Sequence, residues 1–108
     1  MPRLTDDGRT VTLDLHGATV AEAERLTRAA AREAARRGRA TLRVVHGHST
    51  TDRWGETRTI KTMLHALLDD RALAPHVAQS VRAEGHAILG LAPSARPVAA
   101  RLSLADLR

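Results

Sequence analysis

Residues 9–17 read RTVTLDLHG and residues 40–47 read ATLRVVHG. In the first stretch Val11, Leu13 and Leu15 alternate with Thr10, Thr12, Asp14 and His16. That period of two describes a strand with one apolar and one polar face. In the second, Ala40, Leu42 and Val44 point to a core while Thr41, Arg43 and Val45 point away. The intervening segment has the helical period. Val20, Ala23, Leu26, Ala30 and Ala34 form an apolar stripe, and Thr19 and Glu22 have capping-box spacing. Gly38 is a natural C-cap, with Arg36 and Arg37 at the negative end of the dipole. A strand, a helix and a second strand in that order should give parallel strands joined by a right-handed crossover.

The rest of the chain extends this unit. Residues 3–8 are polar and end in the turn signal Asp7-Gly8. Ile60, Met63, Leu64, Leu67 and Leu68 recur with the cleanest helical spacing in the sequence, and Asp69, Asp70 and Pro75 close that segment. Two short strands fit residues 76–83 and 86–91, with Glu84-Gly85 as their turn. Pro93 and Pro97 break the pattern, and residues 99–108 suit a short amphipathic helix or a disordered tail. The expected fold is α/β: a two-layer sandwich in βαβαββ order, with a mixed four-stranded sheet and both helices on one face. Residues 9–92 make the domain, 1–8 an N-terminal lead and 93–108 a C-terminal tail.

Composition removes several kinds of function. The chain has 108 residues, enough for one modest core. It has no cysteine, so disulfides, thiolate metal sites and a cysteine nucleophile are excluded. Trp54 is the only aromatic residue, which excludes an aromatic stacking platform for single-stranded bases. No apolar run has the length of a membrane span and no signal-peptide core follows Met1, so a cytoplasmic location is expected. Seventeen Lys+Arg against 12 Asp+Glu give a formal net charge of +5, and Lys61 is the only lysine. Such a balance draws phosphates. Arginine in place of lysine beside abundant alanine also fits a GC-rich genome, so position has to decide what the charge does.

In sheets of this kind, ligands collect beyond the carboxyl ends of parallel strands. Those ends carry Asp14-Leu15-His16-Gly17 and His46-Gly47-His48-Ser49. If the strands are neighbours, Asp14, His16, His46 and His48 converge on one small surface, with helix N-termini opening beside them. Histidine near its ordinary pKa of about 6.5 can take or give a proton at neutral pH. Asp14 could orient a histidine, and arginine could stabilise a crowded phosphoryl group. With RNA, the neighbouring 2′-hydroxyl could attack without a metal.

Each of these residues has a plainer role beside the chemical one. Asp14 at a strand end also suits a turn or cap. His16, His46 and His48 could bind a metal, but no cysteine and few carboxylates accompany them. His65 suits a solvated helix surface, and His76 and His86 suit turns. The arginine stripe of the first helix is partly paired, through Glu24–Arg28 and Glu33–Arg37 at i,i+4. Arg25, Arg32, Arg36 and Arg39 remain for solvent or for a nucleic-acid backbone. The polar stretch from Ser49 through Thr50, Arg53 and Trp54 to Gly55 is a long loop of the kind that carries function.

The pair Leu13-Asp14-Leu15-His16-Gly17 and Leu42-Arg43-Val44-Val45-His46-Gly47 resembles the Smr (small MutS-related) domain, over roughly residues 9–92. The resemblance implies a two-layer α/β domain, nucleic-acid binding and often endonuclease or nicking activity; relatives act on DNA, RNA or stalled ribosomes. It implies that Asp14 and His16 are the residues tied to cleavage. His46, Gly47, His48 and Ser49 then fall on a phosphate-contacting motif. Ser49 stands where the family has a second glycine, and Glu84-Gly85-His86 stands where it has a longer glycine-rich loop.

The expected function is therefore an endonuclease on RNA or DNA, with Asp14, His16 and His46 catalytic. Gly17, Arg43, Gly47, His48, Ser49, Thr50, Arg53, Arg25, Arg32 and Arg36 are the expected nucleic-acid contacts. No cofactor is required, and a divalent metal is optional. The alternative is a non-catalytic module of the same fold that docks on RNA or the ribosome, and a third reading gives the polar sheet face a protein partner.

Overall fold

The computed structural model describes residues 1–47, 59–92 and 97–108. Its elements are β1 (Arg3–Asp6), β2 (Thr10–Asp14), α1 (Val20–Arg36), β3 (Thr41–Val45), α2 (Ile60–Asp69), β4 (Val77–Arg82) and β5 (His86–Leu91), followed by a short 3-10 turn at Leu104–Leu107. The strands form one mixed sheet in the order β1-β2-β3-β5-β4. Strands β2 and β3 are parallel, pairing Thr10 with Thr41 through Asp14 with Val45. The other three pairings are antiparallel.

The alternation places the core. Val11, Leu13, Leu15, Leu42, Val44, Ala87 and Leu89 are fully buried on one sheet face. Ala23, Leu26, Ala30 and Ala34 of α1 and Met63, Leu64 and Leu67 of α2 cover them. Each buried leucine contributes roughly 1.5–3 kcal/mol through area removed from water. Thr19 caps α1 by accepting from Glu22 N–H at 3.1 Å. Gly38 follows α1 with φ +76, the left-handed position that glycine takes without a Cβ penalty. Thr59 and Thr62 cap α2 reciprocally. Among the described residues no element packs on the sheet's other face, where Arg43, Ile88 and Val81 are exposed.

The sheet has five strands where the sequence suggested four. The additional strand, β1, lies in the polar segment before the Asp7-Gly8 turn. Leu4 is its only large apolar residue, so its packing gives little sequence signal. What holds it is an ion pair. The Arg39 guanidinium donates through Nε to both Asp6 carboxylate oxygens, at 2.8 and 3.1 Å. The two side chains are 1% and 0% exposed. Asp6 also accepts from Gly8 N–H and from Leu102 N–H at 2.8 and 2.7 Å. Arg39 donates onward to the carbonyls of Arg37, Val98 and Ala100. One ion pair thus ties the first strand, the end of α1 and the C-terminal segment, whose Leu102 and Leu107 are buried in the core.

Burial alone would raise the Asp6 pKa. The Arg39 hydrogen bond, the Leu102 and Gly8 N–H donors and the Arg39 charge outweigh it and hold the carboxyl below its ordinary 3.8. A carboxylate with a depressed folded pKa adds stability that is present above its unfolded value and is lost as pH falls through the folded one. We expect Asp6→Ala, which leaves a buried guanidinium uncompensated, to lower unfolding stability by about 3–5 kcal/mol in urea titrations at pH 7. Asp6→Leu combined with Arg39→Met should restore most of that loss. A loss well under 1 kcal/mol for Asp6→Ala would show that the pair does not anchor β1.

Candidate functional site

Parallel pairing brings the two Gly-terminated motifs to one edge of the sheet. Asp14 and Val45 are register partners, and Leu15 N–H extends the ladder by one bond to Val45 O at 3.0 Å. Beyond it the chains part. Gly17, at φ +84, turns the first into α1, and Gly47, at φ +83, turns the second away. The start of β5 lies on the same edge, since His86 pairs with Val45. The β4–β5 turn is stitched to it, because Gly85 O accepts from both His46 N–H and Gly47 N–H at 3.0 Å. The first residue of β1, Arg3, pairs with Asp14. This rim therefore gathers Arg3, Asp14, His16, Gly17, His46, Gly47 and His86.

The side chains at the rim divide into two groups. By strand alternation Asp14 belongs to the open face with Thr10 and Thr12. Its Oδ1 accepts from His16 N–H at 3.0 Å. The carboxylate thus holds the backbone of the following histidine, in the local turn that short acidic side chains favour. His16 itself is exposed.

His46 turns the other way, toward α2. Its ring meets His65 edge-on, with centroids 5.9 Å apart and an interplanar angle of 88°. His46 Nδ1 lies 2.6 Å from Gly47 O, a contact that a proton on Nδ1 satisfies by donating to the carbonyl. The Nε2 atoms of His46 and His65 are both buried and have no hydrogen-bond partner among the described residues. His65 was expected on a solvated surface. It is half-buried instead, because it follows Leu64 on the edge of the buried stripe and faces the His46 ring. Among the described residues no hydrogen bond joins His46 to Asp14 or His16.

Both imidazoles are biased toward the neutral form. Burial lowers the His46 pKa from its ordinary 6.5, the Gly47 carbonyl works against this, and the charges of His65, Lys61 and His86 add to the lowering. Burial also lowers His65, helped by Arg82 and Lys61 and partly offset by Asp69. Asp69 is occupied by an ion pair with Arg82. The sequence reading gave Lys61 and Arg82 no part at a site and placed His65 on a solvated surface. The available signal was the i,i+4 row Lys61-His65-Asp69 along one flank of α2.

The remaining expected contacts scatter. Arg43 is exposed at the centre of the open face. Arg25, Arg32 and Arg36 are exposed along α1. At 1.5 Å per residue, Arg36 lies about 25 Å along the helix axis from Thr19, so the stripe runs away from the rim. Glu24 pairs with Arg28 as expected, at 3.4 Å. Glu33 pairs with Arg32 and Arg36, at 3.5 and 3.6 Å, and not with Arg37. Arg37 instead reaches the C-terminal segment, at Asp106 and Ala100 O. Arg39, expected on the surface, is the buried partner of Asp6. His48, Ser49, Thr50, Arg53 and Trp54 lie outside the described residues. Among the described residues no group of three or more His, Asp or Glu is placed to hold a metal, and no helix is long and apolar enough to cross a membrane. A groove of about 290 Å³ between α2 and β4, walled by Leu67, Leu68, Leu73 and Val77, shares no residue with the rim.

The family model for the Smr domain matches residues 13–87, from the first motif to the start of β5. No curated protein and no solved structure matches the chain.

A histidine whose folded pKa lies below its unfolded value binds its proton less readily in the folded state. Stability is then full above pH 6.5 and falls as pH drops below it, where the unfolded chain takes up protons first. Acidification from pH 7.5 to 5.5 should therefore lower the thermal midpoint. His65→Phe, which keeps a ring against His46 and removes one titrating group, should shrink that pH dependence. An unchanged dependence in His65→Phe would mean that the imidazole pair does not set it.

Proposed function

The chain belongs to the Smr domain family, and on that premise we propose that it binds nucleic acid and cleaves its phosphodiester bonds. The observation that carries this reading is the meeting of Asp14-Leu15-His16-Gly17 with His46-Gly47 at one rim. An exposed imidazole stands there beside a carboxylate that fixes its backbone.

Cleavage of RNA at this rim needs two proton transfers. One member of the Asp14–His16 pair removes the proton of the ribose 2′-hydroxyl as its oxygen bonds to phosphorus. The other protonates the 5′-oxygen as its bond to phosphorus breaks. On DNA, water takes the place of the 2′-hydroxyl. Positive charge for the nucleic-acid backbone comes from Arg3 and Arg43, with Arg53 adding charge and His48, Ser49 and Thr50 hydrogen-bond donors on their sequence position. His46 shapes the rim from behind, through its contact with His65. The reaction in this form calls for no cofactor, and RNA, ribosomal RNA included, is the first substrate to try in a cytoplasmic setting.

A second reading has a specific observation in its favour. The Asp14 carboxylate is engaged by a backbone N–H, and His46 Nε2 is sealed from solvent. Both are roles that a purely binding domain would retain. Labelled RNA and DNA incubated with the purified chain, with and without EDTA, separate the two. We expect cleavage that Asp14→Ala and His16→Ala each reduce about 10²–10⁴-fold, with affinity within about twofold of wild type as expected for groups that act on the reaction and not on binding. Tight binding with no cleavage by the wild type would leave the binding module standing and end the nuclease.

A further inference from the structure

The strand register turns the open face of the sheet into a map. The row nearest the rim runs Arg3, Asp14, Val45 and His86. The next row runs Thr5, Thr12, Arg43, Ile88 and Val81 across all five strands. These rows are about 7 Å apart, two residues along a strand. The second row holds the exposed large apolar residues of the described strands: Val81 is 64% exposed and Ile88 39%. They are register partners, and Arg43 is the partner of Ile88 on the next strand. Asp14 is the one acid of either row; Arg3 and Arg43 are the cations.

We propose that this face is a platform for a single strand of nucleic acid, with bases laid on Arg43, Ile88 and Val81. The inference rests on the reading that the partner is nucleic acid, and it adds which form and which surface. Two observations select the single strand. Exposed aliphatic side chains gain from burial only against apolar surface, and a duplex presents phosphates and sugars outward while hiding its base faces. An arginine beside them supplies a planar cation that stacks on bases or pairs with phosphate. Sheets of comparable width in other single-strand readers take about two or three bases. Here aliphatic groups and one guanidinium stand where such readers use aromatics. The platform also adjoins the row that carries Asp14, so a strand lying on it delivers its backbone to the rim.

The test is fluorescence anisotropy with a labelled 12-nucleotide single strand and the same sequence as a duplex, titrated at several salt concentrations. The wild type should prefer the single strand by about tenfold or more. Val81→Thr with Ile88→Thr keeps β-branched side chains and should weaken single-strand binding about tenfold with little change in salt slope. Arg43→Gln should weaken it and reduce the slope by about 0.7. Circular dichroism confirms that the variants are folded. Equal or better duplex binding overturns the inference, as does wild-type affinity in both variants. If affinity falls instead in Arg25→Gln with Arg32→Gln, the footprint is on α1, and nucleic-acid binding survives while the platform does not. No binding to either form at low salt ends both readings, and a protein partner then becomes the better use of the exposed face.

Discussion

The parallel register of β2 and β3 is the constraint on which the rest of the molecule depends. It sets Leu13 beside Val44 inside and Asp14 beside Val45 outside. A slip of one residue would turn Asp14 inward and Leu13 to water, because side chains alternate faces with a period of two. Burial on one face makes that slip expensive, since Val11, Leu13, Leu42 and Val44 are all sealed. The same register decides that the two motifs end level with each other. The rim is thus a consequence of core packing: hydrophobic burial of the odd positions of β2 fixes where its even positions meet their neighbours.

The Asp6–Arg39 pair does a different job. Two charges buried together add little net stability compared with well-packed apolar residues, because each loses its hydration. Their effect is selective. Arg39 has donors in a fixed fork, and Asp6, Val98, Ala100 and Arg37 meet them from three parts of the chain. Any other placement of β1 or of residues 97–107 would strand a buried charge. The pair therefore determines which way the first strand and the C-terminal segment dock, while the leucines supply the driving force.

What the sequence disclosed follows this division. The alternation of Val11, Leu13 and Leu15, the capping threonine at 19, Gly38 and the stripe from Ile60 to Leu68 are local patterns, and each was legible in isolation. The strand Arg3–Asp6 was not, because its anchor lies 33 residues away at Arg39 and 96 away at Leu102. No window of local sequence contains that information. At the rim, the backbone convergence was legible from the order of elements. The direction of His46 was not, since it depends on meeting His65 across a crossover. Arg39 and Arg37 read as surface charge for the same reason: their partners are Asp6, Ala100 and Asp106, each distant in sequence.

Positive charge alone is a poor guide to where a partner sits on this molecule. Arginines occupy the outer side of α1, the rim and the open sheet face, so electrostatic attraction is spread over much of the surface. On α1, Arg28, Arg32 and Arg36 have acidic neighbours on the same helix. Around His46 and His65, Lys61 and Arg82 favour neutral rings and work against a bound cation. The open face differs from both. Its cations sit beside apolar side chains left in water at a cost, and next to the Asp14 carboxylate proposed to act in cleavage. Charge attracts a partner over distance, whereas exposed apolar area gains only on contact. Where the two coincide, a footprint is better defined than by either.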